Sequence, residues 1–172
     1  MKIIETKIPE VFLIETNVYK DSRGFFTETY NLDTYSTNKF VNKFVQDNLV
    51  YSKKNVLRGL HYQINKPQGK LVQCIQGLIF DVAVDIRKNS ARYLSWVGYE
   101  LSSMNNRQLY IPEGFAHGYC VLSDDALVSY KCTNTYNPIF EKGVKWDDPM
   151  INIDWPIKNP ILSNKDKQLS YI

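Results

Sequence analysis

The chain predicts an all-β fold, an antiparallel sandwich or jelly-roll barrel carrying one or two short helices. Short runs that alternate apolar and polar residues dominate the sequence, and turn-forming residues punctuate them. The composition agrees: aromatic residues make up 13% of the chain, and 12 of them are tyrosines, which favour strands and offer phenols to a polar pocket.

From the N-terminus, residues 11–17 and 25–30 read as strands, parted by the turn Asp21-Ser22-Arg23-Gly24. Residues 31–43 hold the one helical pattern, with Asp33 as its cap and Tyr35, Phe40 and Phe44 along an apolar edge. Strands follow at 44–50 and 70–76, the latter ended by Gln76-Gly77. The run 80–87 is the clearest: Phe80, Val82, Val84 and Ile86 alternate with Asp81, Ala83, Asp85 and Arg87. Its acidic face either lines a barrel interior, where buried carboxylates need partners, or lies outward in solvent. Residues 94–100, 108–111, 118–122 and 127–133 complete the strands, with Pro112-Glu113-Gly114 and Ser123-Asp124-Asp125 as turns.

At 172 residues, 44% hydrophobic and 23% charged, the chain is sized for one folded domain spanning 1–172. A net charge of +3, with no Lys/Arg block beyond Lys53-Lys54, argues against nucleic acid as a partner, which needs a basic stripe. Any anionic ligand is expected to be small and met by individual cations. The N-terminal segment carries Glu5, Lys7 and Glu10 and lacks a secretory core, and no apolar run is long enough to span a membrane. Cys74, Cys120 and Cys132 are odd in number and widely spaced, which fits reduced, buried thiols rather than a disulfide framework or a zinc site. A cytoplasmic protein is expected.

His61 and His117 are the only two histidines, too few for a histidine-built metal centre but suited to acid–base chemistry near neutral pH. His61 lies in Val56-Leu57-Arg58-Gly59-Leu60-His61-Tyr62-Gln63, where the cation of Arg58 beside a potential base suggests an anionic ligand. His117, after Pro112 and Gly114, reads as a loop-to-strand corner exposed to a pocket. No Gly-x-Gly-x-x-Gly loop, P-loop or Gly-x-Ser-x-Gly elbow occurs, so the dinucleotide and serine-hydrolase readings lose their main support.

The motifs together are specific. Asp21-Ser22-Arg23-Gly24-Phe25-Phe26-Thr27-Glu28, Gln46-Asp47-Asn48, Val56 to Gln63 and Gly69-Lys70-Leu71-Val72-Gln73-Cys74 resemble signatures of the dTDP-4-dehydrorhamnose 3,5-epimerase family. So do Phe80 to Arg87, Ile111 to Gly118, Tyr130-Lys131, Trp146-Asp147-Asp148-Pro149, Ile153-Asp154-Trp155-Pro156 and Leu162-Ser163-Asn164-Lys165-Asp166. The resemblance covers almost the whole chain, in order. It implies a cupin-type jelly-roll barrel without metal or cofactor, usually a homodimer with an exchanged N-terminal strand. The implied substrate is a nucleotide-diphosphate sugar, by default dTDP-4-dehydro-6-deoxy-D-glucose, epimerised at C3, C5 or both through an enolate. The same chemistry on a GDP- or CDP-linked 4-keto sugar, heptoses included, is an alternative, as is a cupin that only binds sugar nucleotides.

Residue by residue, the resemblance implies His61 as base and Asp166 as its partner. Lys70 would stabilise the developing enolate oxygen, and Tyr130 would donate the returning proton, its phenol made more acidic by Lys70. Substrate binding would fall to Arg23, Glu28, Gln46, Asp47, Asn48, Arg58, His117, Tyr136, Glu141 and Lys165, with Tyr136 stacking on the base. The chain departs from the family at Leu49-Val50-Tyr51-Ser52, where position 50 is more often small or polar, such as serine. It departs again at Ser170, where a proline is usual, and in its compact loop Ile64-Asn65-Lys66-Pro67-Gln68.

Overall fold

Two antiparallel sheets face one another and enclose the main apolar core in the computed structural model, which describes residues 1–36 and 43–172. In chain order, β1 (Lys2–Glu5), β2 (Phe12–Glu15), β3 (Val18–Asp21) and β4 (Gly24–Thr27) precede helix α1 (Leu32–Ser36). The body comprises β5 (Gln46–Lys53), β6 (Leu57–Gln63), β7 (Lys70–Gln76), β8 (Leu78–Asp85), β9 (Trp96–Ser102), β10 (Arg107–Ile111), β11 (Phe115–Val121) and β12 (Asp125–Cys132). Strand β13 (Glu141–Gly143) and helix α2 (Asn164–Lys167) follow.

The larger sheet runs β1-β2-β10-β7-β12-β5 and the smaller one β13-β6-β11-β8-β9, while β3 and β4 form a hairpin of their own. Every strand pairing is antiparallel, as the alternating patterns and short turns predict. The interior is filled from both sheets, by Leu13, Val72, Leu109 and Val128 on one side and Ile79, Val97, Phe115 and Val121 on the other. Burial of such side chains is the main favourable term in folding.

Strand β8 settles the question left by its alternation. Asp81 and Asp85 are fully buried and face inward, while Val82 and Val84 face outward into a second apolar layer with Leu57, Leu60, Ile151 and Trp155. The polar stripe therefore faces the barrel interior because the C-terminal segment covers the apolar one. Asp85 is held by Arg87 at 2.7 Å and by the Ser90 hydroxyl at 2.6 Å.

Helix α1 covers Leu32–Ser36 of the expected 31–43 segment, and residues 37–42, Phe40 among them, lie outside the described residues. Its cap is Asn31 rather than Asp33: the Asn31 amide oxygen accepts from the backbone N–H of Asp33 at 3.0 Å and of Thr34 at 3.4 Å. Strands β1, β3, β6 and β13 were not foreseen. Strand β6 escapes a period-2 reading because it carries a bulge. On β11, His117 and Tyr119 are two residues apart, yet their partners on β6, His61 and Arg58, are three apart. The extra residue turns Leu57 and Leu60 outward and leaves Arg58 and His61 on the same inner face.

Gly59, at φ 115°, makes that bulge possible; a Cβ there would lie 2.6 Å from both Gly118 Cα and the His117 carbonyl oxygen. Gly59→Ala therefore combines a left-handed backbone with a backbone clash, and we expect it to lower unfolding free energy by about 3 kcal/mol in urea titrations. An unchanged midpoint would remove the bulge from its structural role.

Candidate active site

The bulged strand and its neighbours open onto two adjoining cavities of about 280 and 270 Å³, which share His61, Lys70 and Tyr130 as walls. His61 comes from β6 in the smaller sheet, and Tyr130 and Lys70 from β12 and β7 in the larger one. The first cavity adds Gln46, Asn48, Tyr136 and Glu141, and the second adds Arg58, His117, Lys165 and Asp166.

His61 Nε2 lies 2.6 Å from Asp166 Oδ1 across 105 residues of chain. Asp166 sits in the single turn of α2, whose N-cap Ser163 accepts the Asp166 backbone N–H at 3.0 Å. Burial alone would raise the Asp166 carboxyl, but its bond to His61, the charge there and the Ser163 hydrogen bond outweigh burial and hold it below the usual range. An ionised carboxylate only accepts, so Nε2 donates in this bond and Nδ1 is the ring nitrogen left for a ligand.

His117 is not at an exposed corner: it is buried in the middle of β11, directly opposite His61. Its Nε2 donates to Asp81 Oδ1 at 2.8 Å, and its Nδ1 accepts from Lys70 Nζ at 3.4 Å. Asp81 is thus a second histidine partner that the sequence-predicted site did not include. The signal was present, as an acidic face on β8 that needs partners once buried. Asp81 Oδ2 finds no hydrogen bond among the described residues. Burial pushes the His117 imidazole and the Lys70 ammonium both downward, against the attraction of Asp81.

The Tyr130 phenol is pushed up to about 12, first by burial, then by Cys132 and Tyr119, with Arg58 acting to lower it. This reverses the expected acidification by Lys70. Burial dominates, and it draws Lys70 itself toward neutrality.

The outer polar residues interlock. Gln46 accepts from the Tyr136 backbone N–H at 2.7 Å and donates to Asn48 at 2.9 Å, and Asn48 donates to Cys132 Sγ at 3.6 Å. Glu141 accepts from the Tyr136 hydroxyl at 2.5 Å and pairs with Lys165. Burial acts to raise the Glu141 carboxyl, but these two partners lower it overall. Arg58 Nε donates to Ser52 Oγ at 3.0 Å, and Ser52 lies 3.4 Å from the Tyr119 hydroxyl, two further positions the sequence did not point to.

Three expected binding residues lie elsewhere. Arg23, at the tip of the β3–β4 hairpin, is exposed and ion-paired to Asp21 at 2.6 Å. Glu28 accepts from Asn31 at 3.1 Å, and Asp47 faces outward on β5, 2.7 Å from Lys131. Among the described residues no three His, Cys, Asp or Glu side chains gather to hold a metal ion. The three cysteines are free and buried.

Facing antiparallel sheets around an inward acid–base cluster place the chain among the cupin-type jelly rolls. The family model for dTDP-4-dehydrorhamnose 3,5-epimerase matches residues 5–172. A dTDP-4-dehydrorhamnose 3,5-epimerase of Shigella flexneri is 53% identical over 169 residues, covering 96% of this chain and 93% of that one. The crystal structure of a Legionella pneumophila dTDP-6-deoxy-D-glucose-3,5-epimerase in complex with dTDP-4-keto-L-rhamnose is 47% identical, with a TM-score of 0.97 over 99% of this chain and 92% of that one. A Bacillus anthracis dTDP-4-dehydrorhamnose 3,5-epimerase structure with TDP and pyrophosphate bound is 46% identical, with a TM-score of 0.97 over 99% of both chains. The chain belongs to the dTDP-4-dehydrorhamnose 3,5-epimerase family.

Removing Asp81 leaves a buried histidine without its acceptor. Asp81→Ala is expected to cost about 3 kcal/mol in urea unfolding, whereas Asp47→Ala, which breaks an exposed pair, changes stability by less than ~1 kcal/mol. Equal effects would show that the Asp81–His117 pair does not support the fold.

Proposed function

We propose that this chain epimerises C3 and C5 of dTDP-4-dehydro-6-deoxy-D-glucose, giving dTDP-4-dehydro-L-rhamnose. One observation carries the reading: a histidine backed by a carboxylate and a protonated phenol face a single cavity from opposite sheets. Inversion at carbon needs this arrangement, with a base on one face of the ring and an acid on the other. Membership of the family and the product-type ligand in the Legionella relative support the same substrate.

In this reading His61 Nδ1 takes the proton α to the C4 carbonyl, and the C–H electron pair moves onto O4. Asp166 holds the tautomer and stabilises the imidazolium. The Lys70 ammonium, itself buried in the cavity wall, stabilises the enolate oxygen as a fixed charge. Tyr130 then gives its proton to the opposite face of the carbon, and exchange with solvent resets both groups. A phenol near 12 stays protonated until the basic enolate carbon calls on it. His117, positioned by Asp81, borders the sugar.

Arg58 and Lys165 meet the diphosphate, and Tyr136 stacks on the base beside Gln46, Asn48 and Glu141. Arg23, Glu28 and Asp47, which do not line their own chain's cavity, are assigned to nucleotide contacts completed when two copies meet. The β3–β4 hairpin supports a homodimer with an exchanged N-terminal segment: Tyr19, Phe25 and Phe26 on it are all more than half exposed. We place the reaction in the cytoplasm, whose reducing conditions suit three free thiols. No helix among the described residues is long and apolar enough to cross a membrane.

Proton NMR in D2O with dTDP-4-dehydro-6-deoxy-D-glucose tests the reaction. Deuterium at both C3 and C5 with an L-configured product is expected; label at one carbon would define a single-centre epimerase, and none would exclude this substrate. His61→Ala is expected to lower turnover at least about a hundredfold. Arg58→Ala should weaken dTDP binding roughly tenfold or more by calorimetry.

Activity should fall as pH rises and Lys70 loses its proton. Because burial lowers the Lys70 pKa, that limb lies below the ordinary lysine value of 10.5. Lys70→Arg is expected to carry the limb upward in a pH–rate profile, and an unmoved limb would assign it to another group.

Complementation tests the dimer. An equal mixture of dissociated and reassociated His61→Ala and Arg23→Ala chains should recover about a quarter of wild-type activity, since half the dimers are mixed and each holds one intact site. No recovery would place Arg23 outside the partner's cavity.

A further inference from the structure

Polar side chains line nearly all of the double cavity, and Val50 is the one aliphatic residue among its described walls. It stands on the inward row of β5 between Asn48 and Ser52, opposite Val128 of β12. Val50 is absent from all three apolar clusters among the described residues, so it faces the cavity rather than filling the core. It shares the second cavity with Arg58, Lys165, His61 and Tyr130.

A 4-keto-6-deoxy hexose has a single apolar substituent, the methyl on C5. C5 and the anomeric carbon flank the ring oxygen, so this methyl projects near the diphosphate end of the sugar. The cations assigned to the diphosphate are Arg58 and Lys165, beside which Val50 lies. We infer that Val50 is the contact for the C5 methyl and makes the site select 6-deoxy sugars over their 6-hydroxy counterparts. This rests on the sugar occupying the cavity as proposed above. A methyl against valine exchanges water for apolar contact, whereas a 6-hydroxyl there would lose its water without gaining a hydrogen bond.

Calorimetric binding of dTDP-6-deoxyglucose, dTDP-glucose and dTDP alone provides the test, since neither sugar carries the C4 ketone and neither is turned over. The wild-type chain should prefer the 6-deoxy ligand about tenfold, within the range that one such group in an apolar pocket commands. Val50→Thr keeps the side-chain shape and supplies a hydroxyl, and should bring the preference to within about twofold while leaving dTDP affinity unchanged. Val50→Ala removes the contact without adding a partner and should fall between the two. Circular dichroism establishes that each variant folds, and the alanine variant serves if the threonine variant does not. The inference is overturned if wild type shows no preference, if the folded variant keeps the wild-type ratio, or if all three ligands shift together, which would put Val50 against the nucleotide. Because binding is read without turnover, loss of the ratio effect condemns the Val50 contact alone. Absence of deuterium exchange in the wild-type NMR assay condemns the substrate reading alone.

Discussion

The site depends on a bulge in one strand. In regular β6 geometry, Arg58 and His61 would fall on opposite faces of the sheet, since side chains alternate with period 2. One extra residue opposite His117 and Tyr119 puts both on the inner face and returns Leu57 and Leu60 to the outer apolar layer. Gly59 supplies the backbone conformation, and the missing side chains of Gly59 and Gly118 let the two strands approach at the same point. The close approach also seats His117 directly across from His61. A local departure from regularity thus arranges a cation and two imidazoles at once.

The two histidine–aspartate pairs look alike in chemistry and differ in setting. His61 is partly open to the cavity, and its partner comes from a helical turn near the C-terminus. His117 is buried more deeply in the cavity wall, with its partner on the neighbouring strand β8 and Lys70 on its other nitrogen. The exposed pair can exchange protons with a ligand. The more buried pair fixes Lys70, whose buried charge in turn needs the Asp81 carboxylate nearby. Buried polar groups of this kind cost stability unless partnered, and here the partners are drawn from strands that the apolar layers already hold in register.

Much of the architecture was legible in local pattern. Alternation in Phe80 to Arg87 located β8, and the turn Pro112-Glu113-Gly114 located the end of β10, while β11 begins at Phe115, three residues before the expected 118. What alternation could not reveal was which face of β8 turns inward, because that depends on a C-terminal segment lying far away in sequence over Val82 and Val84. Motif resemblance singled out His61, Lys70, Tyr130 and Asp166, which do meet around the cavity. It passed over Asp81, although Asp81 lay within a quoted motif, because a carboxylate on a strand has no visible partner until the sheet is assembled. The rise of Tyr130 to about 12 was also invisible: burial is a property of the fold, and it outweighed the neighbouring cation on which the sequence-based argument relied.

The separation of His61 from Asp166 has a consequence for synthesis of the chain. Every strand of the barrel, through β13, precedes Asp166 in sequence. As the chain emerges from the ribosome, the strands of both sheets therefore leave ahead of the carboxylate. A nascent barrel would hold its imidazole unpartnered until α2 emerges and docks against β6. Proton transfer at His61 thus waits on the segment from Asn164, and a chain lacking it would keep every described strand without the partner of its imidazole.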